Sequence, residues 1–119
     1  MVNWIEATDE GLVYLSVLTL GEVRKGIFAA APASRRVALE AWLETGLRSR
    51  FAGRILTVDQ AVADRWGLVA GQAQANGMTL PVVDGLLAAT ALHHGYTVVT
   101  RNVGDFVRTG VALLDAWQA

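Results

Sequence analysis

Short apolar runs alternate along this sequence with longer segments in which apolar residues recur every three or four positions. The short runs predict buried strands, because they are apolar or β-branched and lack a regular polar alternation. The longer segments predict helices, as in residues 17–28, where Leu20, Val23 and Ile27 fall on one helical face. The predicted strands are residues 12–15, 55–58, 96–100 and 111–114.

Residues that start or stop helices divide the segments between these strands. Pro32 separates two helices, because proline disfavours helix at the residue before it. Asp59 predicts an N-cap, Asn76 with Gly77 predicts a stop, and Gly95 predicts a left-handed helix end. The predicted helices are residues 17–28, 33–50, a segment from Asp59 to the Asn76-Gly77 stop, and 82–94, and the predicted polar loop and turn are 101–105 and 106–110.

The alternation of strands and helices predicts an α/β fold with a mainly parallel sheet flanked by helices. The sequence contains no linker, repeat or low-complexity tract, so we expect a single domain over residues 1–119. The apolar positions predicted to face inward are Val37, Trp42, Leu43 and Leu47 in the second helix and Val62, Trp66 and Val69 in the third.

Composition narrows the class of protein. Of 119 residues, 53% are hydrophobic and 18% charged, which suffices for one buried core and argues against disorder. The absence of cysteine excludes disulfides, thiolate catalysis and zinc–thiolate sites. A net charge of −1 means that nucleic acid would need a local binding site. No apolar run reaches the length of a membrane span and no signal peptide is visible, so we expect a cytoplasmic protein.

Three acidic residues lie where the predicted sheet would place a ligand. Glu22, Asp84 and Asp105 each follow a predicted strand or open a helix beyond one, and ligands of open α/β sheets bind at the carboxyl ends of the strands. If the carboxylates converge there, their repulsion requires a proton or a cation between them, and as metal ligands their oxygens favour Mg²⁺ or Mn²⁺. Thr100 and Asn102 would add contacts to a phosphate or a metal-bound water. The pattern indicates a metal-dependent phosphodiesterase site.

Structural explanations exist for the same three residues. Thr19 and Glu22 match a capping box, in which the glutamate satisfies a backbone donor. The helix dipole favours Asp84 in a first turn whatever its function. Asp105 could cap the turn into Phe106. The residues alone leave both interpretations open.

Histidines and arginines are further candidates. His93 and His94 precede Gly95, where they would cap a helix end or, alternatively, take part in catalysis or metal binding. The arginine-rich region could be a solvated face, since glutamates interleave with it, or a track for phosphates. Its members are Arg35, Arg36, Arg48, Arg50 and Arg54, with Glu40 and Glu44 between them.

Four segments, in order, resemble the PIN-domain toxins of the VapC type and their FitB-like branch. Residues 15–27 look like the first-helix signature, and 53–59 resemble the strand and turn that follow. Residues 80–91 are similar to the central acidic motif, and 97–106 to the last one. The resemblance implies a three-layer PIN-like α/β fold.

The same resemblance implies a function. It points to a magnesium-dependent endoribonuclease, the toxin of a toxin–antitoxin pair, which forms a homodimer and binds a small antitoxin. The family's metal-binding carboxylates carry over to Glu22, Asp84 and Asp105, with Thr100 and Asn102 as polar neighbours.

The resemblance departs from the family at the start of the sequence. Family members begin with a strand that ends in Asp-Thr-Asn, whose aspartate is a primary metal ligand. Residues 1–7 are instead similar to the end of the helix after that strand. We therefore expect the usual first strand to be missing, which leaves two functions open: an RNA-cleaving toxin, or a catalytically impaired PIN-like protein that dimerises and binds partners.

Overall fold

Residues 13–99 and 103–114 are described by a computed structural model, without the side chains of Val103, Asp105 and Arg108. They fall into two units. The N-terminal unit is Val13–Thr57, and the C-terminal unit is the described part of Val58–Ala119. In both units short parallel strand pairs accompany longer helices. The predicted combination of helices and parallel strands is therefore confirmed.

The N-terminal unit combines two short strands with two helical segments. β1 and β2 run parallel, with Leu15 opposite Ile55 and Ser16 opposite Leu56. The second helical segment changes to π-helical geometry part-way and returns to α-helix at its end. The elements are β1 (Leu15–Ser16), α1 (Val17–Phe28), α2 (Ala33–Ala41) with its continuation through a π-helical stretch (Trp42–Leu47) and a last turn (Arg48–Arg50), and β2 (Ile55–Leu56).

The strand pair is shorter than the predicted runs of residues 12–15 and 55–58. Leu12 lies outside the described residues, and Val13 and Tyr14 are not in a strand. The ladder ends at Ser16 because this residue already serves as the N-cap of α1, its Oγ accepting the Leu18 N–H at 3.0 Å. Since β1 stops there, Thr57 and Val58 extend beyond their partner strand.

The core of the N-terminal unit forms where α1 meets the second helical segment. Leu20 and Ile27 of α1 are buried as predicted, and they pack with Leu43, which is fully buried. Leu39 and Leu47 flank Leu43 at intervals of four residues, so these three leucines form the inward row of the helix.

Two of the predicted inward positions are wrong. Val37 is 66% exposed and Trp42 is 48% exposed. Val37 precedes Leu39 by two residues, which is about 200° around an α-helix and places it on the far side. Trp42 is one residue from Leu43 and lies beside the inward row.

The C-terminal unit has two long helices and a second strand pair. β3 and β4 are parallel, with Thr97 opposite Ala112 and Val99 opposite Leu114. Its elements are α3 (Gln60–Ala75), α4 (Val82–His94), β3 (Thr97–Val99), α5 (Val103–Phe106), a 3₁₀ turn (Val107–Thr109) and β4 (Ala112–Leu114).

Local signals set the helix ends of this unit as predicted. Asp59 caps α3, with its Oδ1 accepting the Val62 N–H at 3.0 Å. Gly77 follows the end of α3 with φ +75°, and Gly95 ends α4 in the left-handed conformation. The bounds predicted for α4 are confirmed, and in the core Val62 is fully buried and Val69 nearly so.

Two predictions for the end of the chain are wrong. The strand at residues 97–99 is not buried on both faces, because Thr97 and Val99 are exposed where the described residues supply only β4 as a neighbour. The segment predicted as a polar loop is helical from Val103 to Phe106. Phe106, the last residue of this helix, is 4% exposed and packs against Ala88 and other residues of the core. Residues 100–102 lie outside the described residues.

Gly85 allows α3 and α4 to approach closely. A Cβ atom built on Gly85 would lie 3.0 Å from Cδ1 and Nε1 of Trp66 and 3.1 Å from Cδ2 of Leu80. In contrast, a Cβ atom on Gly71, in the exposed interior of α3, would meet nothing within 4 Å. The two helical glycines therefore differ in what surrounds them.

We expect opposite effects from alanine at these two positions. Gly71→Ala should raise the free energy of unfolding by about 0.5–1 kcal/mol, because alanine loses less backbone entropy in a helix. Gly85→Ala should lower it, since overpacking costs about 1–3 kcal/mol and exceeds the propensity gain. Urea unfolding of both variants measures the difference. Equal stabilisation by both would show that the Trp66 ring gives way freely.

Candidate functional site

Asp84 lies in the first turn of α4, as predicted. It is the third residue of the helix, it is half-buried, and it makes a polar or electrostatic contact. Pro81 is the N-cap and has no capping side chain, and its carbonyl accepts the first helical bond from the Gly85 N–H at 2.9 Å. The helix N-terminus carries partial positive charge, so the carboxylate is favoured there as an anion.

Glu22 is the sixth residue of α1 and is exposed. The capping-box explanation for it is wrong, because Ser16 caps the helix and Thr19 lies inside its first turn. Glu22 follows Leu20 by two residues, so it points about 200° away from that buried position. Glu22 therefore has no part in capping α1.

Asp105 is the third residue of α5, and its side chain is not among those described. Thr100 and Asn102 lie outside the described residues. Within residues 13–99 and 103–114, no three His, Asp or Glu side chains whose positions are described are grouped to hold a metal. Glu22 belongs to the N-terminal unit, and Asp84 and Asp105 to the C-terminal unit. The predicted convergence of the three carboxylates stays a prediction.

The two histidines lie at the far end of the helix that carries Asp84. His94 stacks on Tyr96 with ring centroids 5.4 Å apart, and His93 meets His94 edge-on at 4.9 Å. His94 follows Asp84 by ten residues, a distance of about 15 Å along an α-helix. The rings therefore do not share a site with Asp84, and the helix-end interpretation is favoured.

An ion cluster in the N-terminal unit was only partly visible in the sequence. Glu44 pairs with Arg24 and, at 3.8 Å from its Oε2 to Nε, with Arg48. The spacing of Glu44 and Arg48 along one helix could be predicted. Arg24 comes from α1, twenty residues earlier, and only the packing of α1 against the second helical segment brings it there.

Arg54 has a structural role. It donates to the Val13 carbonyl from Nη1 at 2.8 Å and to the Arg50 carbonyl from Nη2 at 2.6 Å, with its guanidinium 4.8 Å from the Phe51 ring centroid. These contacts hold the backbone that leads into β1 beside β2. The spacing of charges along the sequence, which suggested that Arg54 could contact phosphates, could not reveal these bonds to the backbone.

The family model for the PIN domain matches residues 1–112 of the chain. This chain belongs to the PIN-domain family. Toxin FitB from Neisseria gonorrhoeae is 34% identical over 117 residues, which are 98% of this PIN-domain chain and 84% of FitB. VapC ribonuclease Y4jK from Sinorhizobium fredii is 32% identical over 118 residues, covering 99% of this chain and 84% of that protein.

A solved structure gives the same result for the fold. The crystal structure of FitAcB from Neisseria gonorrhoeae matches with a TM-score of 0.93 and 34% identity, over 99% of this PIN-domain chain and 85% of that chain. The predicted α/β PIN-like fold is confirmed. The expected absence of the family's first strand concerns residues that lie outside the described ones. Among the described residues, every helix is too short or too polar to span a membrane.

Proposed function

We propose that this PIN-domain chain is the ribonuclease toxin of a toxin–antitoxin pair and cleaves RNA phosphodiesters with Mg²⁺, or with Mn²⁺ in its place. One observation carries the proposal: almost the whole chain is similar to proteins named a VapC ribonuclease and a toxin. The similarity includes all four segments that resembled the family in the sequence.

The donor chemistry of the proposed site suits a hard divalent cation. Asp84, Glu22 and Asp105 would be its ligands, all of them carboxylates, and the chain has no cysteine that would favour a softer metal. A bound magnesium ion would polarise a phosphoryl oxygen and lower the pKa of an attacking water. The half-buried position of Asp84 supports its assignment as the principal ligand, because partial burial strengthens its attraction for a cation.

Thr100 and Asn102 would position the RNA through contacts to its phosphate or to a metal-bound water. Glu22 lies exposed on the solvent side of α1, where a polynucleotide could reach it.

Such a toxin would act in the cytoplasm. It would have two protein partners, a cognate antitoxin and a second copy of the chain. Large apolar side chains are exposed in both units and would be available to such partners. Phe28 is 77% exposed, Val37 66% and Leu68 65%.

The test is cleavage of a labelled single-stranded RNA by the full chain, free of antitoxin. We expect cleavage with Mg²⁺ or Mn²⁺, none after chelation with EDTA, and recovery when the metal is restored. Cleavage that persists in EDTA would contradict metal dependence. RNA binding without cleavage at any metal concentration would contradict the nuclease and favour the non-catalytic binding protein.

A further inference from the structure

Charge is distributed unevenly between the two units of the chain. The segment Val13–Thr57 contains seven of the ten Lys and Arg residues but only three of the eleven Asp and Glu residues. The N-terminal unit therefore has four positive charges in excess, although the whole chain has a net charge of −1. A local excess of this kind attracts polyanions that the net charge would not.

Within this unit two arginines are held close together by one carboxylate. Arg24 of α1 and Arg48 of the last turn of the second helical segment both pair with Glu44, in an arrangement named here the Arg24–Glu44–Arg48 cluster. Their side chains are 44% and 45% exposed, and that of Glu44 is 49% exposed. The cluster is open to solvent on a surface built from two packed segments.

The exposure of the cluster makes its ion pairs replaceable. Ion pairs at such exposed positions contribute little to stability, because water and salt screen them. Arginine presents a planar fork of donors that matches a phosphate group as well as a carboxylate. A phosphate could therefore take the place of the Glu44 carboxylate without disturbing the buried core beneath.

We propose that the Arg24–Glu44–Arg48 cluster is a binding site for the RNA backbone, in which the two guanidiniums contact phosphates and Glu44 competes with them. The choice of RNA as the ligand rests on the proposed function, because a toxin that cleaves RNA must also bind it. Arg24 lies on α1, the helix that also carries Glu22, but it follows Glu22 by two residues and so lies about 200° around the helix. The contact would therefore hold a part of the RNA other than the part at Glu22.

Binding can be measured apart from cleavage. The full chain is titrated into a fluorescently labelled single-stranded RNA in EDTA, anisotropy is followed across a range of salt concentrations, and a gel verifies that the RNA stays intact. For single strands the logarithm of the affinity falls with that of the salt concentration with a slope of about −0.7 per phosphate contact. Arg24→Gln and Arg48→Gln should each make the slope shallower by about 0.7, and the double variant by about 1.4.

Two further variants make the test specific. Glu44→Gln should tighten binding, because it removes a competing carboxylate. Arg65→Gln removes one charge from an exposed position on α3 of the other unit and should leave the slope unchanged. An unchanged slope in the Arg24→Gln/Arg48→Gln double variant, or weaker binding by Glu44→Gln, overturns the proposal and leaves the cluster to a protein partner or to solvent. Cleavage assays on the same RNA test the nuclease separately, so the two proposals can fail independently.

Discussion

RNA cleavage is expected to fall by at least about a hundredfold when Asp84 is replaced by asparagine, since metal-ion catalysis supplies several kcal/mol and each 1.4 kcal/mol is a factor of ten in rate. Asparagine keeps the size of the side chain and removes the charge that would bind the metal. The first turn of α4 tolerates it, with a cost in stability of about 0.3–1 kcal/mol from the lost dipole interaction. Initial rates at saturating Mg²⁺ and circular dichroism of the same preparations measure both quantities.

Asp64→Asn is the matched control. Asp64 is an exposed aspartate on α3, in the same unit, and lies outside the segments that resemble the family's acidic motifs. The Asp64→Asn variant should cleave RNA at the wild-type rate. Full activity in Asp84→Asn would refute the assignment of the metal site, even if the chain proved to be a nuclease. Equal losses in both variants would show that the effect is not specific to the site.

The largest expected loss of stability comes from Leu43→Ala. Leu43 belongs to the second helical segment and is fully buried against Leu20 and Ile27 of α1. Truncating a buried leucine costs about 2–5 kcal/mol, from lost transfer free energy and from the cavity left behind. Because domains of this kind are stable by about 5–15 kcal/mol, the midpoint of urea unfolding should shift markedly, with an unchanged denaturant dependence.

Val37→Ala separates burial from hydrophobicity. Both positions were predicted to face inward, but Val37 is 66% exposed on the opposite side of the same helical segment. Its truncation should change the free energy of unfolding by less than about 0.5 kcal/mol. A comparable loss in the two variants would mean that the face described for this segment is wrong.

The contrast between α4 and the strands shows where sequence-based prediction succeeds. The bounds of α4 follow from neighbouring residues, because Pro81 favours an extended N-cap and Gly95 accommodates the left-handed end. Strand length depends instead on where a distant partner stops. β1 ends at Ser16 because that residue caps α1, and the length of its pairing with β2 cannot be read from either run alone.

The candidate site divides in the same way. The residue types and their order along the chain pointed to Glu22, Asp84 and Asp105 and to a family that the comparisons then established. Whether Glu22 was only a capping residue could be decided only from the hydrogen bond of Ser16, which ended that explanation.

The sequence by itself determined the four longer helical segments of this protein, the places where they begin and end, its family and the residues proposed to carry its chemistry. These are local properties, set by periodicity, capping and short motifs. Only the tertiary structure decided which face of the second helical segment is buried, which glycine is crowded, and that Arg24 meets Glu44 and Arg48. Each of those depends on residues far apart in the chain, and packing alone brings them within contact distance.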